Sequence, residues 1–104
     1  MIGRRVRSFG EIERPGDYFG PHVGMTGDLP AVFYLKPNAR DPDAPLRARG
    51  VNHVCSPPHT FRECPDGSLE IRPSISNLLA GDTTGQSDDS WHGYLDEGHI
   101  WRQV

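Results

Sequence analysis

Apolar residues in this chain fall in short clusters, each closed by glycine or proline and most alternating with polar neighbours. Ala31-Val32-Phe33-Tyr34-Leu35 is the clearest: β-branched and aromatic, bounded by Pro30 and Pro37, it predicts a strand. Leu46 to Val54 predicts a second, with Val51 and Val54 as its apolar contributions. Ser56-Pro57-Pro58 ends it, because proline cannot donate a ladder hydrogen bond. Phe61–Cys64 and Ser68–Ile71 flank Pro65-Asp66-Gly67, a turn sequence in which proline presets φ and Asp-Gly supplies the left-handed position. That arrangement predicts a hairpin with Leu69 and Ile71 on one face. Pro73 to Leu79 extends the apolar run, with room for one helical turn over Ser76–Ala80 before Gly81. A second hairpin is predicted where Trp91–Leu95 and His99–Trp101 flank Asp96-Glu97-Gly98.

The first thirty residues lack such periodicity. Glycine or proline recurs every few positions from Gly3 to Pro30, a density that no helix interior carries. Met1–Phe9 can form an edge strand, while Tyr18, Phe19, Val23 and Met25 read as loop residues folding down onto a sheet. Asn38–Pro45 and Gly81–Ser90 are polar and read as surface loops. The pattern as a whole predicts a mainly β single domain over residues 1–104, with an irregular arm over 1–30 and a β core over 31–104. Over the whole chain this makes a small antiparallel sheet of five or six short strands built from hairpins, with long Gly/Pro-rich loops and at most one short helix. Its expected interior is Val32, Phe33, Leu35, Val54, Phe61, Leu69, Ile71, Ile75, Leu78, Tyr94, Leu95, Ile100 and Trp101.

Composition sharpens this reading. Twelve glycines and ten prolines in 104 residues exceed the usual ~12% share, and 35% hydrophobic residues fall below the usual ~45–50%. A long helical bundle and a coiled coil are excluded, and no window approaches the ~18 apolar residues of a membrane helix. The net charge of −3 lacks the basic excess of a general nucleic-acid binder. Charge is nonetheless uneven: Arg4, Arg5, Arg7 and Arg14 lie near the start, and Asp82, Asp88, Asp89, Asp96 and Glu97 lie near the end. Either both segments are simply solvated, or the basic arm docks on an acidic surface, such as that of a second copy. Two cysteines and no apolar run of signal-peptide length predict a reducing cytoplasm and free thiols.

Candidate chemistry concentrates in Asn52–Cys64, which holds His53, Cys55, His59 and Cys64. Two thiolates and two imidazoles suffice for tetrahedral zinc, although there is no C-x2-C pair. The alternative is that the cysteines are small buried hydrophobes and the histidines hydrogen-bonded surface residues. His92 follows Asp89 by three positions, so the pair can hold a metal or orient an imidazole as a base. Equally, His92 can be structural, its ring bonded to a carbonyl or to the Ser74 hydroxyl. The chain carries no G-x-S-x-G, no H-E-x-x-H and no phosphate-binding glycine loop, so nothing fixes a reaction. Trp91 and Trp101 either fill the core or anchor an interface.

Three pieces, VFYLKP, DGSLEIRPSI and WHGYLDEGHIW, together resemble a family of small actinobacterial and actinophage proteins of unknown function, some labelled ammonia monooxygenase. The likeness spans Ala31–Trp101 and is firmest at Pro73-Ser74-Ile75 and His92–Ile100. It implies a zinc site built from a C-P-x-C after the first strand and a C-H or C-x-x-H in the last hairpin. Here Leu35-Lys36-Pro37-Asn38 stands where the first motif belongs, and only His92 remains of the second. The implied site is therefore dismantled, or rebuilt from Cys55, Cys64 and histidines.

Two functional expectations follow. The first is a non-catalytic, phage-type accessory module that binds a host or phage protein, acts in the host cytoplasm and bears Trp91, Trp101, Asp89 and Ser74 at its binding surface. The second is a metal- or small-molecule-binding protein centred on His92, with residual or lost hydrolase-like activity and zinc as its one candidate cofactor. A thin core with open sheet edges further predicts a homodimer whose interface includes Phe9, Tyr18, Phe19 or Trp101.

Overall fold

The computed structural model describes residues 1–38, 51–77 and 91–104. The predicted loop at Gly81–Ser90, most of that at Asn38–Pro45, and Leu78 and Asp89 lie outside these residues. Eight strands are present: β1 (Arg4–Val6), β2 (Asp17–His22), β3 (Ala31–Leu35), β4 (Val51–Cys55), β5 (Thr60–Glu63), β6 (Leu69–Asn77), β7 (Trp91–Asp96) and β8 (Ile100–Gln103). The only helix among the described residues is the single 3-10 turn Phe9–Glu11. The mainly β expectation holds, but the described residues hold eight strands rather than five or six, divided into two sheets, β1-β2-β3-β4 and β5-β6-β7-β8. All pairs are antiparallel except β1 with β2.

Strand β1 is the edge strand foreseen within Met1–Phe9, whereas β2 comes from a stretch read as irregular. Residues 1–30 supply β1 and β2, and Tyr18 and Phe19 are strand residues rather than loop residues. The Gly20-Pro21 pair is absorbed by a register shift against β3 between Phe19 and His22. The turn feeding β2 is fixed by Asp17, which is buried. Its carboxylate accepts from the Glu13 and Arg14 N–H groups at 3.0 and 2.9 Å and from Arg4 at 2.9 and 3.2 Å. Ser76 and Asn77, expected to begin a helical turn, instead continue β6 and pair with His92 and Trp91.

Both predicted hairpins form. Gly67 and Gly98 have φ of +86° and +87°, the left-handed region in which glycine carries no Cβ penalty. In the second turn Asp96 pairs with Ile100, so the connection is Glu97-Gly98-His99, one residue later than the sequence suggested, and His99 also sits at φ +60°.

Strand β3 is buried along its whole length, and its alternation serves two cores. Val32 and Tyr34 face the second sheet, in a cluster with Tyr18, Leu69, Ile71, Ile75, Trp91, Leu95 and Trp101. Ala31, Phe33 and Leu35 face outward and are covered by Val6 and Ile12, with Phe9 and Phe19 at the margin. The N-terminal segment thus roofs the first sheet. Tyr94, expected in the core, is half-buried on the outer face of β7, where the Arg72 and Arg102 guanidinium groups lie 5.0 and 4.1 Å from its ring centroid. Ile100 is exposed: its register opposite Asp96 puts it on the face away from Trp101.

Candidate functional site

The two aromatic anchors are not surface residues. Trp91 and Trp101 are 1% and 3% exposed and meet edge to face, with ring centroids 5.3 Å apart. The Trp101 indole N–H donates to the Gly16 carbonyl at 2.8 Å. Tyr18 is buried as well. This corrects the expectation that Trp91 or Trp101 forms a binding patch and removes Tyr18 and Trp101 from the expected dimer interface. Of those four residues only Phe9 and Phe19 are half-buried.

The five proposed metal ligands are not brought to one point. His53 and Cys55 lie on β4, opposite Phe33 and Ala31 in the first sheet. Cys64 lies at the β5–β6 turn and His92 on β7 in the second sheet. Among the described residues, the one trio of metal-capable atoms within 4.8 Å of one another is Cys64, Asp66 and Glu97. In that trio the Asp66 carboxylate is already used by the Ser68 N–H, at 2.9 Å, and by the Ser68 hydroxyl. Both cysteines are free thiols.

His92 does meet Ser74. Its Nε2 lies 2.9 Å from Ser74 Oγ, and His59 Nε2 lies 3.2 Å from the Ser74 carbonyl oxygen. Two of the singled-out histidines therefore converge on one residue, at the stretch where β6 shifts register against β7 between Ile71 and Ile75. His59 Nδ1 is buried without a hydrogen-bond partner among the described residues. The arrangement ties the irregular stretch of β6 to both neighbours, which is the structural role open to His92 from its sequence.

A different face carries the exposed chemistry. Between β2 and β3, the Gly24 N–H donates to the Gly27 carbonyl at 3.1 Å, and the resulting turn lifts its side chains away from the sheet. Val23, Met25 and Leu29 are 56%, 47% and 45% exposed there, whereas Val23 and Met25 were expected to fold onto the sheet. The root of this loop, Gly20-Pro21, forms one wall of a groove of about 430 Å³ shared with Arg5, Arg7, Phe19 and His99. Arg5 reaches across it to Glu63 through two 2.7 Å contacts and donates to the Gly20 and Gly67 carbonyls at 2.8 and 3.1 Å. It thereby ties β1 to both the β2 kink and the β5–β6 turn. Its hydrogen bonds hold the Glu63 carboxyl below the usual glutamate range, burial opposing the shift. Arg7 is exposed and has no ion-pair or hydrogen-bond partner among the described residues.

The His99 ring of the groove is oriented from behind. The Leu69 N–H donates to the Tyr18 hydroxyl oxygen at 3.2 Å, and that hydroxyl lies 2.6 Å from His99 Nδ1. Burial pushes the Tyr18 hydroxyl up to about 12, so it stays protonated. With its oxygen accepting from Leu69, this hydroxyl can donate to His99 Nδ1, the tautomer that places the ring proton on Nε2. Neither the exposed loop nor the groove was singled out from the sequence. The one signal for the groove was the arginine cluster Arg4–Arg7, which gave the sign of the charge but not its partner. No protein-family model matches the chain, and no match to it was found among curated proteins or solved structures.

Proposed function

We propose that the protein is a non-catalytic protein-binding module, a phage-type accessory protein that acts in the host cytoplasm on a host or phage protein. The observation that carries this reading is the β2–β3 loop, where three large apolar side chains stand in solvent on a hydrogen-bonded turn beside a cationic groove. Several large apolar side chains exposed on one loop beside a polar groove are a feature of contact surfaces. The resemblance of residues 31–101 to small actinobacterial and actinophage proteins supports a partner from the host cell or the phage. Among the described residues no helix is long and apolar enough to cross a membrane.

The test is capture from a host lysate, followed by reconstitution with the purified captured protein. Wild-type protein is expected to form a stoichiometric complex. The triple variant Val23→Ser, Met25→Ser, Leu29→Ser should bind at least tenfold more weakly while its urea midpoint stays within error, since these side chains support no core. Equal binding by the triple variant would overturn the assignment of this face.

A further inference from the structure

Resting on that reading of the docking face, we propose that the groove beside the loop receives one carboxylate from an acidic segment of the partner. Arg7 supplies the charge and His99, held by Tyr18, a ring N–H donor. The lining includes Arg5, Arg7 and His99 and no acidic side chain. Arg5 is not the ligand-binding group: Glu63 compensates its charge, and the Gly20 and Gly67 carbonyls fix its position, so it is a wall. Arg7 is the one uncompensated guanidinium of the lining, exposed and without a partner among the described residues. A guanidinium in that state offers paired N–H groups that match a carboxylate fork.

His99 completes the set. The chain Leu69 N–H to Tyr18 O–H to His99 Nδ1 leaves the His99 proton on Nε2, with no acceptor for it among the described residues. The residue is held there at φ +60°, in the turn whose His99 carbonyl accepts from the Gly3 N–H at 2.7 Å. One free guanidinium and one ring N–H match the two oxygens of a carboxylate. The exposed apolar side chains of the adjoining loop fit that carboxylate to a peptide rather than to a free anion, and inorganic phosphate is the control.

The experiment uses full-length protein and three probes: a synthetic acidic decapeptide of glycine, serine and aspartate unrelated to this chain, its variant with every Asp replaced by Asn, and inorganic phosphate. Nitrogen NMR of the side chains follows Arg7 and His99. The acidic decapeptide is expected to shift both resonances saturably, and the Asn version is expected to shift neither. Arg7→Gln should weaken acidic-peptide binding about tenfold or more, the loss of a charged hydrogen-bonding partner. His99→Asn, which tolerates the left-handed backbone, should weaken it by a smaller factor, with thermal midpoints unchanged for Arg7→Gln. The His99 imidazole should show Nδ1 as the unprotonated nitrogen. Equal binding of the Asn peptide, or no effect of Arg7→Gln, overturns the proposal, and so does phosphate binding tenfold tighter than the acidic peptide. The loop triple variant separates the two readings. If it still takes the acidic peptide but loses the protein partner, both stand. If the partner needs the loop but not Arg7, only the carboxylate site falls. If Arg7 is needed and the loop is not, only the docking face falls.

Discussion

Gly93 shows how single residues set this core. It lies on β7 two positions after Trp91 and so on the same face, and the Trp91 indole lies across it. A Cβ at that position would meet Trp91 Cζ2 and Cη2 at 2.6 Å and collide with the Arg102 carbonyl oxygen of the paired strand. Neither can yield cheaply, because one is backbone and the other is wedged against Trp101. Gly93→Ala is therefore expected to destabilise the fold by about 1–3 kcal/mol, the usual cost of overfilling a close-packed site. Urea unfolding followed by tryptophan fluorescence would read it, and an unchanged midpoint would show that the indole has room to move. The same residue illustrates what a sequence conceals. Trp-His-Gly-Tyr-Leu reads as a strand with a weak spot, and nothing in it says that the glycine is a seat for a ring two residues away.

At the scale of elements, the hairpins were legible because their turn chemistry is local. Pro65-Asp66-Gly67 and Glu97-Gly98 specify positive φ within three residues, and the flanking alternation fixes which face is buried. Strand β2 was not legible, since what stabilises Asp17–His22 is remote: pairing with β3 and the clamp of Arg4 on Asp17. The Ser74–His92 contact was foreseen as one structural option, whereas its second half was not, because His59 comes from beyond a Pro-Pro corner. Ser74→Ala removes the hydroxyl from His92 at the register shift of β6 and is expected to cost about 1 kcal/mol, the net worth of a typical hydrogen bond. Thermal unfolding would detect the loss. A variant as stable as wild type would show that the pair contributes nothing to the lock. The Val23–Leu29 face was hidden for the opposite reason: apolar residues in a sequence are read as core, and only the turn at Gly24–Gly27 turns them outward.

At the scale of the whole molecule, one ion pair joins the two sheets and another reinforces a strand pair that the backbone already makes. Arg5 of β1 holds Glu63 at the end of β5, linking one sheet to the other, while Arg62 holds Glu70 across β5 and β6. Hydrogen bonds from these arginines keep both carboxyls below their ordinary value of 4.5, with desolvation opposing. A depressed folded-state value means that the folded protein prefers the ionised carboxyl. The contribution is thus complete above the unfolded value and is lost as pH falls through the lower folded values. Urea midpoints should be flat from about pH 6 to 8 and should drop on acidification below about pH 4, with Arg5→Gln removing part of the drop. Both groups lie near the surface, so the effect is small and shrinks with added salt. A midpoint independent of pH across that range would contradict the role given to these pairs.

The central claim is that this β molecule meets a partner through the β2–β3 loop and the groove at its root. Site-specific photo-cross-linking tests it most directly, with a photoreactive phenylalanine analogue placed at Met25 in one version of the protein and at Ser74 in another. After irradiation in host lysate, the account predicts one discrete adduct from position 25, abolished by Arg7→Gln, and none from position 74. An adduct from position 74 alone would contradict it and return the function to the His92 face. A position-25 product of twice the chain mass would also contradict it, by making the partner a second copy.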